Sequence, residues 1–154
     1  MSRYSWSKLN KQQVGRFAEY FVKMEFAQYG FEVYSAEVDD RGIDFVTRYG
    51  SGGFYEVQVK LVRGGGYVFM QKSKFPLQPD RLLALVMLKE DQPPELYLIP
   101  ATAWQTPKAL LVGHDYEGLK SPPEWGLQLS ARNLPLLGPY RFDSVVASLC
   151  GVPA

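Results

Sequence analysis

Apolar residues recur at helical spacing between positions 12 and 29, through Val14, Phe17, Ala18, Phe21, Val22, Phe26 and Tyr29, and Gly30 ends the run. This predicts a helix. The period then shortens to that of extended chain. Phe31 to Ser35 reads as a strand, and Phe45-Val46 and Phe54 to Lys60 flank a Gly/Ser cluster at Gly50 to Gly53, the signature of a hairpin with a long loop. Gly64-Gly65-Gly66 predicts a turn into a short strand at Tyr67 to Met70, and no following helix carries the Lys-Ser/Thr pair of a phosphate-cradling loop. Arg81 to Leu88 is a nearly continuous apolar run, as expected of a central strand buried on both faces. Glu95 to Ile99 predicts another strand, and Pro100 stands where a short helix through Trp104 would begin. Beyond Thr106, proline and glycine break the chain into short pieces, with a strand predicted at Trp125 to Leu129 and a helix at Asp143 to Leu149.

Polar residues interrupt this pattern at three places. Side chains alternate along a strand, so Phe54, Glu56, Gln58 and Lys60 share one face while Tyr55, Val57 and Val59 share the packed one. A carboxylate, an amide and an ammonium in a row fit either the solvated face of an antiparallel sheet or a site. In the first helix, Gly15, Glu19, Val22 and Phe26 lie along one stripe, which sets Glu19 among apolar neighbours. A carboxylate there must be paired, metal-bound or at the stripe's edge, because an isolated buried charge costs too much. The third is Asp44, delivered by the polar turn Glu37 to Gly42.

With 154 residues and 46% hydrophobic content, one domain is expected over 1–154. The net charge of +1 does not by itself announce a nucleic-acid partner. Between Arg41 and Arg81, however, Arg41, Arg48, Lys60, Arg63, Lys72, Lys74 and Arg81 face only Asp44, Glu56 and Asp80, a local excess of four positive charges. The single cysteine, Cys150, excludes an internal disulfide, and the single histidine, His114, leaves too few soft ligands for zinc. His114 beside Asp115 lacks a nearby nucleophile or third group, so it does not read as a catalytic dyad. Met1 to Leu9 has no apolar core of a signal peptide, and no stretch is long enough to cross a bilayer, so a soluble, cytoplasmic protein is expected.

The order of these elements, with Glu19 in Gly15-Arg16-Phe17-Ala18-Glu19, Asp44 in Gly42-Ile43-Asp44-Phe45 and the triplet Gln58-Val59-Lys60, closely resembles the PD-(D/E)XK nuclease superfamily, the fold of restriction endonucleases and archaeal Holliday junction resolvases. The resemblance implies an α/β fold with a restriction endonuclease-like core, a mixed central sheet flanked by helices in αβββαβ order. It covers roughly residues 12–100, leaving 101–154 as a C-terminal extension packed on the core. The triplet departs from the family in one position: Gln58 stands where a glutamate is usual. An amide oxygen still offers a hard ligand but removes a negative charge, which Glu56 would restore if it reached the site; its alternative is a surface salt bridge with Arg48 or Arg63.

Hydrolysing a phosphodiester needs an activated water and charge compensation at phosphorus, both of which a hard cation held by oxygens supplies. By resemblance, Asp44 is the central ligand of Mg²⁺ or Mn²⁺, with Glu19, Gln58 and the carbonyl of Val59 completing the shell. Lys60 positions the attacking water or stabilises the phosphate. Arg41, Arg63, Lys72 and Lys74 are the expected contacts to DNA phosphates, which position the strand without reading its sequence. The leading expectation is therefore a metal-dependent DNA endonuclease, structure- or junction-directed, for which a homodimer would suit the cutting of two strands. The alternative is an inactive module on the same fold that binds nucleic acid or a protein. A third reading is an interaction protein that uses exposed Tyr4, Trp6, Tyr67, Trp104 or Trp125.

Overall fold

The computed structural model describes residues 2–37 and 41–151. Its first long element is the helix α1, Lys11–Gln28. Asn10 caps it reciprocally with Gln13: the Asn10 side chain accepts the Gln13 amide N–H at 2.9 Å, and the Gln13 side chain accepts the Asn10 N–H at 2.9 Å. The buried stripe is Val14, Ala18, Val22 and Phe26. Phe26 is its anchor, edge-on to Phe31, Phe45 and Phe142 with ring centroids 5.1, 5.8 and 5.0 Å away.

Under α1 lies a five-stranded sheet built from β1 (Phe31–Ser35), β2 (Phe45–Tyr49), β3 (Tyr55–Arg63), β5 (Arg81–Leu88) and β6 (Glu95–Pro100), in the order β1-β2-β3-β5-β6. Only β3 and β5 run parallel. The remaining strands, β4 (Gly66–Gln71), β7 (Leu111–His114) and β8 (Glu124–Leu129), form a second, antiparallel sheet in the order β4-β8-β7. A short helix, α2 (Phe142–Leu149), packs on the same side as α1 through Phe142 and Val146.

β5 feeds both layers. All eight of its residues are buried. Leu82, Ala84, Val86 and Leu88 join the core beneath the helices, whereas Leu83, Leu85 and Met87 join the core against the second sheet. The alternation continues in β3, whose Val57, Val59 and Leu61 face the helices while Val62 faces the second sheet. The polar face of Glu56, Gln58 and Lys60 therefore points away from α1.

The mixed central sheet and its helices bear out the expected fold class, with one difference in element order. A helix was expected between β3 and its parallel neighbour β5; the chain there forms β4 and a single 3-10 turn, Lys72–Lys74. The physical reason is local. Gly64 and Gly66 adopt positive φ at the entrance, Pro76 and Pro79 stand at the exit, and Tyr67 to Met70 alternates, so the segment favours extended chain. β4 then pairs with β8, so the C-terminal third supplies two of the three strands of the second sheet.

Exposed aromatics would favour the interaction-protein reading, and two of the five named for it lie in the core. Trp6 and Trp104 are buried, and each indole N–H is satisfied internally: Trp6 donates to the carbonyls of Lys89 and Gln92, and Trp104 to that of Gly126. The polar turn predicted at Glu37 to Gly42 lies partly outside the described residues, which omit 38–40. No helix among the described residues is long and apolar enough to cross a membrane.

Two predictions follow from local energetics. Gly15 lies inside α1 and a Cβ added there would meet nothing within 4 Å, so Gly15→Ala should stabilise the protein by about 1 kcal/mol in urea denaturation. A loss of stability would show that the space is not open. The second concerns Glu90, which ties down the N-terminal segment. Partial desolvation pushes its carboxyl up, but hydrogen bonds from the Ser7 and Ser5 hydroxyls and the Ser7 and Trp6 amides outweigh this and leave it below its ordinary value. A depressed folded-state value means the contribution is complete above the unfolded value near 4.5 and fades as pH falls through the folded one. The gap in urea midpoint between the native protein and Glu90→Gln should thus be widest at neutral pH and close below pH 4.5; a gap independent of pH would contradict this.

Candidate metal centre and nucleic-acid interface

The ladder between β2 and β3 is short. It pairs Phe45 with Val57, Val46 with Glu56 and Thr47 with Tyr55, and stops there, while β3 continues to Arg63. In a strand, the N–H and C=O of one residue point to the same edge. Val57 receives the Asp44 N–H on its carbonyl at 2.9 Å, so Val59, two residues on, also directs its backbone toward the side that β2 has left. There the Asp44 side chain takes the place of a strand: its Oδ2 accepts the Val59 N–H at 2.7 Å. The Val59 carbonyl faces the same notch by strand geometry. Asp44 is thereby fixed at the point where the sheet opens.

What holds the notch in shape is Arg81, whose side chain is only 3% exposed. Its guanidinium donates to the carbonyls of Arg41 at 3.2 Å and Lys74 at 2.8 Å, and it faces Glu56, its register partner across β3 and β5, at 3.6 Å. The Lys74 carbonyl in turn presses on Gly42. A Cβ on Gly42 would come within 2.9 Å of that oxygen and 3.3 Å of Gln58 Oε1, and Gly42 has φ of +71°. Only glycine meets both demands. The residue that precedes Asp44 by two is thus locked by one buried cation acting on two backbone carbonyls.

Two cavities flank the free edge of β3. The first, an open cleft of about 590 Å³ on the α1 side, is lined by Glu19, Val59, Lys60 and Arg63 together with Lys11 and Gly15. The second, of about 210 Å³ toward the second sheet, is lined by Gly42, Gln58, Lys60 and Lys74 together with Phe69 and Gln71. Lys60 borders both, and its ammonium lies 5.9 Å from the Phe69 ring centroid. Of the residues expected at the site, Asp44 and Val59 are in direct contact, Gln58 and Lys60 share one cavity, and Glu19 reaches the other, where it is 27% exposed and paired with Arg16 at 3.2 Å.

The expected phosphate contacts divide. Arg63 stands at the cleft, where it also donates to the Leu9 carbonyl at 3.0 Å, and the Lys74 side chain is exposed beside the second cavity. Arg41 is exposed. Lys72 is held elsewhere, 2.7 Å from Asp115 and over the Trp125 ring at 4.0 Å. Arg48 pairs with Glu32 and Arg81 with Glu56, so the local excess of positive charge read from the sequence is partly consumed inside the fold. Glu56 is accordingly spoken for by Arg81 rather than by Arg48 or Arg63. His114 packs beside the Tyr116 ring, with centroids 5.6 Å apart, and Asp115 turns to Lys72, so the two form no dyad.

The oxygen donors that this stretch of β2 and β3 offers do not form a dense acidic cluster. Among the described residues no three His, Cys, Asp or Glu side chains come together. The donors are instead the Asp44 carboxylate, the Val59 carbonyl and Gln58 Oε1, which is buried and makes no hydrogen bond. A buried amide oxygen with no partner is costly unless something binds it. One carboxylate with neutral oxygens suits a small divalent ion such as Mg²⁺, which keeps several waters and is held by few protein ligands. The residues present fit that group.

A search of solved structures finds the fold similar to that of a Holliday junction resolvase from the archaeal hyperthermophile Archaeoglobus fulgidus, with a TM-score of 0.54 over 90% of this chain and 96% of that one. The fold is restriction endonuclease-like. Sequence identity to that resolvase is 12%, so the likeness is one of fold. No protein-family model matches the sequence, and a search of curated proteins found no match.

Sequence reading passed over Arg81 as a clamp, although a lone charge opening an otherwise apolar strand was the signal. It also passed over Lys11, Gly15 and Phe69, which only the packing of α1 and β4 brings to the site. Gly42→Ala would be strained by its φ and would collide with the Lys74 carbonyl. It should lower stability by at least about 1 kcal/mol in urea denaturation; an unchanged midpoint would contradict the tight approach.

Proposed function

We propose that the protein is a divalent-metal-dependent deoxyribonuclease directed at branched or junction DNA. The observation that carries this reading is Asp44 seated on the Val59 amide at the free edge of β3, a strand whose Gln58 and Lys60 line the cavity toward the second sheet. The restriction endonuclease-like fold and its likeness to a junction resolvase support it. Asp44, Gln58 and the Val59 carbonyl would hold Mg²⁺ or Mn²⁺, with Glu19 reaching from α1. When bound, such an ion lowers the pKa of a coordinated water and neutralises charge developing on the phosphate.

The chain's own groups do the rest. Lys60 is a compact cation with three donors, suited to hold the attacking water or a non-bridging phosphate oxygen. The Val59 amide fixes the Asp44 carboxylate by a 2.7 Å hydrogen bond, so the carboxylate needs no reorientation on binding. Arg41, Arg63 and Lys74 are placed to meet phosphates to either side, and Lys72, engaged with Asp115, contributes less. Two copies would be required to cut two strands together, which makes a homodimer the natural assembly.

One observation favours a second reading, a DNA- or protein-binding module without catalysis: the donor set contains a glutamine, and among the described residues no three ionisable ligands converge. Mn²⁺ titration separates the two. The nuclease reading expects Mn²⁺ binding that Asp44→Ala abolishes, and Mg²⁺-dependent cleavage of a four-way junction, tested against duplex and single-stranded DNA, that is lost with it. Lys60→Ala should keep Mn²⁺ binding while slowing cleavage by about 100- to 1,000-fold. Cleavage that survives Asp44→Ala would overturn the assignment, and DNA binding without Mn²⁺ binding would favour the module.

A further inference from the structure

We infer that the cleft between α1 and β3 seats a second, non-scissile phosphate of the DNA strand, held by Lys11 and Arg63 over Gly15. This rests on the nuclease reading and adds to it a site that the metal notch does not require. The cleft is open and about 590 Å³ in volume, ample for a phosphodiester, and three cations from two elements border it. Its one carboxylate, Glu19, is paired with Arg16 at 3.2 Å.

Gly15 is the independent observation. Glycine inside a helix is unfavourable, and here packing does not demand it: φ is not positive, and an added Cβ would touch nothing within 4 Å. What the missing side chain leaves is a floor one turn from Glu19, at the level of Lys11 and across from Val59 and Lys60. A bare helix surface in a cleft bordered by Lys11 and Arg63 allows close approach of an anion. A leucine in the same place would put its side chain into that space. Because Lys60 borders both cavities, a phosphate seated here would lie next to the notch, and a strand spanning the two would be registered against Asp44.

The test uses Asp44→Asn protein, which binds without cutting, and a fluorescein-labelled four-way DNA junction titrated at several salt concentrations. Neutralising a phosphate releases condensed counterions, so each such contact adds about 0.9 to the slope of log K against log salt on duplex arms. Lys11→Gln and Gly15→Leu, each added to that background, should lower the slope by about 1. The double variant should lower it no further than either alone, since both remove the same phosphate. Gly15→Ala, expected to raise the unfolding temperature, should weaken junction binding in the same direction as Gly15→Leu. Unchanged slopes in variants that melt like their parent would overturn the second phosphate seat while leaving the nuclease reading in place. If the Asp44→Asn protein and the native chain both fail to bind any DNA, the nuclease reading falls and this inference with it.

Discussion

The site depends on one buried cation. Arg81 opens a strand whose other residues are all apolar; its Nη2 donates to the carbonyls of Arg41 and Lys74, and its Nη1 faces Glu56 at 3.6 Å. Hydrogen bonds to a charged group contribute roughly 1.5–3 kcal/mol each, and a buried guanidinium left without them would be intolerable. The two carbonyls belong to segments on either side of Gly42, so satisfying the charge pulls both against that glycine. Asp44 emerges two residues later in a fixed place. The placement of Asp44 is thus a by-product of the fold's need to accommodate a charge in its core.

The same strand joins the two layers of the molecule. Alternate residues of β5 enter the core under α1 and α2 and the core against the second sheet, and its parallel neighbour β3 does the same less completely. Because β2 leaves β3 after Val57, the outer edge of β3 runs on without a strand partner on that side. Beside the fully buried β5, this edge of β3 offers backbone groups held in place by the sheet. Asp44 takes the Val59 amide, and the carbonyl beside it is left facing the notch. The candidate site sits where regular pairing stops.

Much of this was readable from residue order. The helix of Val14 to Phe26, the alternating strand from Tyr55 to Lys60 and the apolar run ending at Leu88 are local patterns, and each forms as its period dictates. Glu19, Asp44, Gln58 and Lys60 were visible as polar residues in apolar settings. The second sheet was not legible, because β4 pairs with β8 across a long stretch of chain, and alternation alone does not name a partner. The partners of charges were equally hidden. Glu56 meets Arg81 through strand register, Lys72 meets Asp115 through the second sheet, and Trp6 is buried by carbonyls of the turn after β5. The cleft over Gly15 required the crossing of α1 and β3, which no local pattern encodes.

The account stands or falls on whether the notch is a metal site. Crystals grown or soaked with Mn²⁺ and measured near the manganese absorption edge give the most direct answer. An anomalous peak in contact with the Asp44 carboxylate and Gln58 Oε1 is the predicted result. No peak at Asp44, or manganese bound only elsewhere on the molecule, would contradict it.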